Sequence, residues 1–396
     1  MITVTEAFQI IRKEKRDWPL EKVNIDNALG RVLAEDIKAD RDFPPYDRVT
    51  MDGIAISYEN YKKGARSFAV QGIQYAGEPV KTLTDQANCV EVMTGCILPV
   101  GTDTVLRYED ITIENGTATV NIEDVQKKLN VHHQGSDRRE GDVIISAFTK
   151  ISPAEIAVLA TVGKPEVMVY AKPSICIVST GDELVGISQI PEPFQIRSSN
   201  SPALKSALEK NGFSADLEHL PDVQETMKIK MTAILEKYDV VFLTGGVSKG
   251  KKDYVPEILE NAGISKLFHK VKQRPGKPFW FGKGGNTVVF ALPGNPVSTF
   301  MCFHKYVLPW LFGCENVFPS KKYAVLGEDF EFSVDLTYFL QVKITCSPDG
   351  KIIAHPIPGH GSGDHANLVD ADGFLELPSE KNLFKKGEVY PVIFYR

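Results

Sequence analysis

The sequence lacks paired cysteines and long apolar runs. Its six cysteines are scattered, with no C-x-x-C pair, which argues against a zinc ribbon and suits a reducing cytosol. No apolar run approaches the roughly 18–20 residues of a membrane span, and the N-terminus shows no signal peptide. We therefore expect a cytoplasmic protein that does not enter a membrane.

Several other signatures are also missing. The net charge of −6 argues against a general nucleic-acid-binding protein, so no nucleic-acid partner is expected. The eight histidines include His132-His133 but no H-x-x-x-H pattern, and we interpret the pair as loop residues. No G-x-G-x-x-G follows a strand pattern, which leaves a dinucleotide-binding fold unsupported. The length of 396 residues predicts two to four domains.

The stretch from Thr244 to Pro256 contains G-x-x-x-x-G-K, one residue short of a P-loop. A P-loop needs Ser or Thr after the lysine to bind Mg²⁺, and Lys252 stands there instead. A P-loop helix would also place Pro256 beyond its first turn, where a proline destabilises the helix by roughly 3 kcal/mol. A helix with Asp253 as N-cap removes this conflict. The stretch therefore predicts a strand, a glycine-rich turn and a helix ending at Gly263.

The N-terminal part of the chain changes pattern twice. Residues 3–36 show helical periodicity that opens with a capping box at Thr3, and residues 43–130 show short alternating runs between turns. A second capping box at Ser152 opens a helix that ends at Gly163. Helical patterns on both sides of a β-rich segment predict a discontinuous first domain.

Residues 172–312 alternate apolar strands with helices, which predicts a doubly wound parallel α/β sheet. Three strand-like runs, each ending in a glycine-rich or proline-rich turn, begin at Ile175, Asp239 and Thr287. The helix candidates begin near Asn200, Asp253 and Pro296. Ligands of such sheets bind beyond the carboxyl ends of the strands, where these turns would lie. From residue 320 onward, strand runs and a Pro348-Asp-Gly turn predict a small β-barrel or sandwich.

Turns that present backbone N–H groups and helix N-termini on one edge predict an anion site. Positive charge for a phosphate or an oxyanion is offered by Lys249, Lys251, Lys252, Arg274 and Lys277. The carboxylates of Asp182, Glu183 and Asp253 are hard ligands suited to Mg²⁺ that bridges to phosphates. Two charged stretches of the β-rich region, residues 47–53 and 135–142, are compatible both with a site and with solvated loops.

Taken in order, the motifs resemble one family, the molybdopterin molybdenumtransferases or MoeA-type proteins, which also occur as the C-terminal domain of gephyrin. Nearly the whole chain is covered, and the ordered set is specific although no single motif is decisive. The matching stretches are Met51-D-G-I-A, Met93-T-G-C-I-L-P-V-G-T-D-T-V, Gly135-S-D, Ser179-T-G-D-E-L, Ser199-N, Thr244-G-G-V-S, Pro275-G-K-P and Leu292-P-G-N-P-V-S.

This resemblance implies four domains. They are an elongated, discontinuous dimerisation domain (1–40 and 135–168), a β-rich inserted domain (41–134), a molybdopterin-binding α/β domain (169–314) and a C-terminal β-barrel (315–396). It also implies a homodimer whose site uses both subunits, with a molybdopterin adenylyltransferase as a further partner. The implied reaction inserts molybdate into adenylylated molybdopterin and releases AMP, with Mg²⁺ as cofactor.

The motif positions that match the family imply the site residues. The implied catalytic residues are Asp52, Thr94, Asp137, Glu183 and Asp253, of which Glu183 and Asp253 are the implied metal ligands. The implied substrate-binding residues are Thr180, Gly181, Asp182, Gly245, Gly246, Ser248, Lys249, Pro275, Gly276, Lys277, Pro293, Gly294, Asn295, Pro296 and Ser298. The chain departs from the family pattern at Ser199, where many members have an acid, at Lys251-Lys252, and at Arg274, which replaces a frequent lysine.

Three alternatives share the α/β pattern. A molybdopterin adenylyltransferase is typically that domain alone, whereas well over half of this chain lies outside it. A non-catalytic gephyrin-like scaffold is disfavoured because the sequence has no long linker and no low-complexity tail. A pyrophosphatase of the competence-damage type lacks the motifs at residues 47–53 and 135–142.

Overall fold

The computed structural model describes residues 1–246, 255–317, 320–357, 359 and 361–396. These residues form two compact units. The larger contains Met1–Lys22, Gly30–Ala34 and Met168–Arg396, and the smaller contains Val23–Leu29 and Glu35–Val167. The finer four-domain boundaries stay a prediction. The predictions for Ser248, Lys249, Lys251, Lys252 and Asp253 lie outside the described residues.

Both predicted capping boxes are confirmed. Thr3 and Glu6 exchange hydrogen bonds at the start of the first helix, and Ser152 and Glu155 do so at the third, where Pro153 is the first helical residue. The helices are α1 (Val4–Lys13), α2 (Tyr58–Lys62), α3 (Pro153–Thr161), α4 (Asn200–Lys210), α5 (Gln224–Lys237), α6 (Val255–Asn261), α7 (Pro296–Cys302), α8 (Leu308–Cys314) and α9 (Ala366–Asp370).

The strands fall into three groups along the chain. The first group is β1 (Leu20–Asn24), β2 (Ile37–Lys38), β3 (Arg48–Val49), β4 (Gly53–Ile56), β5 (Ser67–Gln74), β6 (Asn88–Val92), β7 (Thr104–Arg107), β8 (Ile111–Glu114), β9 (Thr117–Val120), β10 (Val131–His132), β11 (Val143–Ile145) and β12 (Glu166–Tyr170). The second is β13 (Ile175–Thr180), β14 (Leu184–Val185), β15 (Ile196–Arg197), β16 (Asp216–Leu220), β17 (Val240–Thr244), β18 (Ser265–His269), β19 (Gln273–Arg274), β20 (Trp280–Gly284) and β21 (Thr287–Leu292). The third is β22 (Lys322–Leu326), β23 (Phe330–Glu331), β24 (Thr337–Cys346), β25 (Ile352–Pro356), β26 (Gly373–Leu377), β27 (Leu383–Phe384) and β28 (Val389–Phe394).

The expectation of helical structure throughout residues 3–36 is wrong beyond α1. The ring of Pro19 disfavours helical geometry at Trp18, so α1 ends before these two residues, at Lys13. Trp18 then packs edge-on against Trp310, with ring centroids 6.3 Å apart. Burial of this large aromatic side chain outweighs the local helical pattern.

The smaller unit contains the predicted β-rich region as a curled six-stranded sheet, in the order β7-β4-β6-β5-β9-β8. Successive side chains of a strand point to opposite faces. Accordingly, Ile54 and Ile56 of β4 join one apolar cluster, whereas Ala55 joins a second. Both faces of the sheet are therefore buried.

The larger unit contains the predicted doubly wound sheet, which the structure confirms. Its order is β16-β13-β17-β21-β20-β18, and the first four strands run parallel. One face packs against α1, α4, α7 and α8, and the other packs against α5 and α6. The antiparallel strands β20 and β18 extend the parallel core at one edge.

The C-terminal region is the predicted β-barrel. Strands β24, β25, β22, β28 and β26 pair in this order, and β26 pairs back to β24, which closes a five-stranded barrel. Closure leaves none of these five strands with an unpaired edge. The predicted turn at Pro348-Asp349-Gly350 joins β24 to β25, and Gly350 has a φ of +82°.

Within the part of the chain that the structure describes, no helix is long and apolar enough to cross a membrane. All six cysteines are described and free, and only Cys346 is exposed.

Candidate functional site

Three predicted turns meet at one edge of the α/β sheet because their strands end at the same level. Ser179 of β13 lies beside Thr244 of β17, which lies beside Leu292 of β21. The polar turns that follow these strands therefore project from the carboxyl edge, where α/β sheets bind their ligands.

These turns line a cavity of about 690 Å³. The predicted site residues that line it are Thr180, Gly181, Glu183, Gly245, Gly246, Pro275, Gly276, Lys277, Pro293, Gly294, Asn295 and Ser298. Two predicted residues, Asp182 and Pro296, are not part of the lining. Asp182 instead accepts a hydrogen bond from the Asp222 backbone N–H at 3.0 Å, and Pro296 is the first residue of α7.

Close packing explains the second glycine of the Thr244-G-G turn. A Cβ on Gly246 would lie 2.7 Å from Val255 Cγ2 and 3.0 Å from Thr180 Oγ1. Its φ of +68° also disfavours any residue with a side chain. The turn thus presents bare backbone to the cavity.

The Leu292-P-G-N-P turn is held from several sides. The hydroxyl of Thr299 donates to the carbonyl oxygens of Pro293 and Asn295. Asn295 Nδ2 donates to Ser362 Oγ at 2.7 Å, and Asn200 Nδ2 donates to the Gly294 carbonyl oxygen at 2.7 Å. Side chains from α4, α7 and the barrel region therefore fix the backbone of this turn.

The cavity wall carries charge of both signs. Among the described residues, the cationic ones in the lining are Arg274 and Lys277, and the acidic ones are Glu183 and Asp222. The Arg274 guanidinium lies 5.8 Å from the Phe332 ring centroid. Such a wall can attract an anionic ligand and offers carboxylate oxygens to a bound cation. Across the described residues, no three His, Cys, Asp or Glu side chains converge as a metal site.

The remaining predicted catalytic residues lie in the smaller unit. Asp52 Oδ1 accepts hydrogen bonds from the backbone N–H of Thr94 at 2.6 Å and from its hydroxyl at 2.7 Å. These two bonds hold the pKa of Asp52 below its ordinary value, because they stabilise the carboxylate. Asp137 Oδ1 lies 2.8 Å from His132 Nε2, and the loop prediction for His132 is wrong because this residue pairs in strand β10.

Three family models match the chain in succession. Residues 2–163 match the MoeA N-terminal region (domain I and II), residues 176–313 match a probable molybdopterin binding domain, and residues 323–395 match the MoeA C-terminal region (domain IV). A molybdopterin molybdenumtransferase of Synechocystis is 41% identical over 395 residues, which cover 99% of each chain. The chain belongs to the MoeA family.

Other members of the MoeA family agree over the same length. A molybdopterin molybdenumtransferase of Staphylococcus aureus is 32% identical over 401 residues, covering 99% of this chain and 95% of the relative. The crystal structure of a molybdopterin biosynthesis MoeA protein from Pyrococcus horikoshii has a TM-score of 0.85 at 28% identity, with both chains fully covered. This chain thus shares the fold of a MoeA protein of known structure over the full length of both chains.

Sequence reasoning missed the barrel side of this MoeA cavity. The residues concerned include Tyr338, Gln341 and Ser362, and Asp222 from the α/β domain was also missed. Gln341 is 7% exposed, and its Nε2 has no hydrogen-bond partner among the described residues. The glycine-rich sequence of residues 359–363 was the available signal, because its residues Gly359, Gly361 and Ser362 line the cavity. Tyr338 and Gln341 lie in an ordinary strand pattern that carries no such signal.

Proposed function

We propose that this chain inserts molybdenum, supplied as molybdate, into adenylylated molybdopterin and releases AMP. One observation carries the proposal. In a chain that matches molybdopterin molybdenumtransferases over its full length, several glycine-containing turns line a single cavity together with Arg274 and Lys277. A molybdopterin adenylyltransferase would supply the adenylylated substrate.

The cavity has the parts that such a reaction needs. Bare backbone at Gly246 and Gly294 lets phosphate oxygens approach closely. Lys277 and Arg274 lie where they would stabilise negative charge as the phosphate linkage breaks. Asn295 and Ser298, at the start of α7, would orient the substrate at a helix N-terminus.

Assays with purified protein separate this activity from the adenylyltransferase alternative. With adenylylated molybdopterin and molybdate, an insertase releases AMP and leaves ATP untouched. An adenylyltransferase instead consumes ATP and molybdopterin to make the adenylylated compound. ATP consumption without molybdate-dependent AMP release would overturn the proposal.

Mg²⁺ is the proposed cofactor, and the donor chemistry of the cavity fits it. Mg²⁺ is usually held by one or two carboxylates together with substrate phosphates and waters. Glu183 lines the cavity and would be one ligand, and Asp253, outside the described residues, would be the second. When bound, the ion would neutralise charge on the phosphates. Glu183 itself would fix the position of the ion against the cavity wall.

We expect Glu183→Gln to lower AMP release by about 10²-fold, the scale of losing one electrostatic stabiliser. Calorimetric titration of Mg²⁺ into the AMP complex should show weakened binding in the same variant. Glu209→Gln, which removes an exposed carboxylate on α4, is the matched control and should leave both readouts unchanged. Normal Mg²⁺ affinity in Glu183→Gln would remove this residue from the metal site.

A homodimer is also proposed, and an exposed apolar patch supports it. Ile187, Ile190, Phe194 and Ile196 are 67%, 90%, 76% and 59% exposed, although they lie within ten residues of each other. Clusters of exposed apolar side chains are typical of protein interaction sites. Phe194→Asp should shift the mass measured by light scattering from dimer toward monomer. An unchanged mass would remove the patch from the interface.

A further inference from the structure

A buried polar cluster lies behind the Pro275-G-K turn of the cavity. Gln273, Cys302 and Tyr306 are each 0% exposed. Gln273 Nε2 donates to the carbonyl oxygen of Gly276 at 3.0 Å and lies 3.4 Å from Cys302 Sγ. The hydroxyl of Tyr306 lies 2.5 Å from Gln273 Oε1. None of these three residues belongs to a motif that the sequence analysis identified.

The hydrogen-bonding capacities of the groups fix the direction of every bond. A carbonyl oxygen can only accept, so the amide nitrogen of Gln273 must face Gly276. The amide oxygen then faces Tyr306, whose hydroxyl must donate. Because all three side chains are 0% exposed, loss of one hydrogen-bond partner leaves the other unsatisfied in a buried place. Gln273 is therefore held in one orientation.

The cluster connects two parts of the cavity wall. Cys302 ends α7, and Tyr306 follows in the π-helical segment Phe303–Val307 that leads into α8. The start of α7 carries Ser298 of the cavity lining. One helical segment therefore carries Ser298 of the cavity lining at its start. Further along, its residues Cys302 and Tyr306 hold the carbonyl group of Gly276 through Gln273.

The position of Gly276 determines the point from which the side chain of Lys277 extends. The carbonyl oxygen of Lys277 accepts a hydrogen bond from the Val271 N–H at 3.0 Å, which closes the loop around Gln273. A Cβ on Gly276 would lie 2.6 Å from Cys302 Sγ and 2.9 Å from Gln273 Nε2. The turn therefore rests directly on the buried cluster, while Lys277 is exposed to the cavity.

We propose that Gln273 and Tyr306 are positioning residues that hold the Gly276 carbonyl so that the Lys277 ammonium faces the phosphates of the substrate. The proposal rests on the proposed function for the identity of that substrate. Both side chains are 0% exposed; Gln273 borders the cavity, Tyr306 lies behind it, and both act through Lys277. Misplacement of a charged group by about 1 Å can lower a rate by up to about 10²-fold.

A double-mutant cycle tests the proposal. Tyr306→Phe keeps the aromatic ring that packs on Phe279, at 5.1 Å between centroids, and removes only the hydroxyl. We expect it to lower kcat for AMP release about tenfold with a smaller change in KM, because the Lys277 contact strengthens as charge develops. In a Lys277→Ala background the same substitution should change kcat by less than about twofold, because the group it positions is gone. Equal effects in the two backgrounds would overturn the proposal.

Tyr238→Phe is the matched control. It also removes a hydroxyl from a tyrosine of the larger unit that is 7% exposed, one that donates to the exposed carboxylate of Asp216 at 2.6 Å, and Tyr238 does not line the cavity. It should lose stability without the selective loss of kcat. Gln273→Met, which removes all three hydrogen bonds of the amide, should reproduce the Tyr306→Phe pattern more strongly. A kcat loss of the same size in Tyr238→Phe would show that the effect is a general loss of stability.

Hydrogen exchange provides a readout that does not use the reaction. Peptides that cover residues 270–280 should exchange faster in Tyr306→Phe than in wild type or Tyr238→Phe. Unchanged exchange there would refute the positioning role. A wild-type protein that released no AMP would refute the proposed function, and the exchange result would still decide the positioning role of the cluster.

Discussion

Two glycine-containing turns, one in each unit, have glycines with nearly the same φ angle but different surroundings. Gly276 in the cavity wall has a φ of +85°, and Gly95, beside Thr94 in the smaller unit, has a φ of +86°. A Cβ on Gly276 would lie within 3.0 Å of Cys302 and Gln273, whereas a Cβ on Gly95 would come no closer than 3.8 Å to Ala76. A glycine with this φ angle is thus closely packed in one turn and open in the other.

The difference shows two ways in which a turn is held in place. The cavity turn rests on side chains that the chain supplies about 30 residues later, from the helical segment that contains Cys302 and Tyr306. The turn of Thr94 and Gly95, here called the Asp52 turn, is held by two hydrogen bonds that Thr94 donates to Asp52. These bonds lie on the surface, where water competes for them. Substitutions in the cavity turn should therefore change stability and activity together, whereas those in the Asp52 turn should have smaller and more local effects.

The largest expected effect is that of Gly276→Ala. The added methyl group meets packed atoms and the positive φ disfavours alanine, so we expect a loss of about 3–5 kcal/mol in the free energy of unfolding. Gly95→Ala has the same backbone penalty without the overlap and should lose about 1 kcal/mol. Urea unfolding of both variants measures the difference. Equal losses would mean that the cavity turn can move away from the cluster.

Next in size is a pH effect in the helical segment behind the cavity. Burial lowers the pKa of His304 to about 4, and its Nδ1 lies 2.9 Å from the carbonyl oxygen of Phe300. Because the folded pKa lies below the ordinary 6.5, the unfolded chain takes up the proton first as the pH falls. The contribution of His304 to the free energy of unfolding is therefore fully present above pH 6.5 and is lost as the pH falls toward 4. The loss amounts to about 3 kcal/mol at most.

His304→Asn provides the comparison, because its side-chain N–H can still donate to Phe300 and it does not titrate. The wild type should lose more stability than this variant between pH 6.5 and pH 4. Parallel pH profiles of the two proteins would show that His304 titrates with an ordinary pKa.

The sequence predicts the strands and helix caps well, because those signals are local. The capping boxes at Thr3 and Ser152 and the strand that ends at Thr180 depend on neighbours within a few residues. The prediction of a helix beyond α1 is wrong because Trp18 packs against Trp310, which lies almost 300 residues away in the sequence. Gln273 and Gln341 could not be predicted for the same reason, because only tertiary packing places them at the cavity. Motif residues can be predicted from the sequence, but the residues that hold the motifs cannot.

A smaller effect is expected in the Asp52 turn. Thr94→Val removes the hydroxyl bond but keeps the backbone bond, so the pKa of Asp52 should rise toward its ordinary value without reaching it. The stabilisation from these bonds is present above the unfolded pKa of Asp52 and is lost as the pH falls through its folded pKa. Carboxyl NMR titration measures the pKa, and the melting temperature at pH 7 should change little. A large loss of melting temperature would show that this turn is held as firmly as the cavity turn.

The smallest expected effect concerns Ser199, where the chain departs from the family pattern. Ser199 precedes α4, and among the described residues its side chain makes no capping hydrogen bond. Asp is a good N-cap residue and its charge suits the positive end of the helix, so Ser199→Asp should leave the melting temperature nearly unchanged. The next residue, Asn200, bonds to the Gly294 carbonyl oxygen at 2.7 Å, which places the new charge near the cavity wall.

Calorimetric titration of Ser199→Asp with molybdopterin should therefore show binding weakened by about fivefold or less at low salt, and by less at higher salt, because screening reduces the repulsion between like charges. Ser199→Asn is the matched control, since Asn caps a helix about as well but carries no charge. It should bind like the wild type at every salt concentration. If Ser199→Asn weakened binding as much as Ser199→Asp, the hydroxyl itself would be required. If Ser199→Asp bound normally and melted much lower, position 199 would matter for the fold of α4 and not for the charge of the cavity.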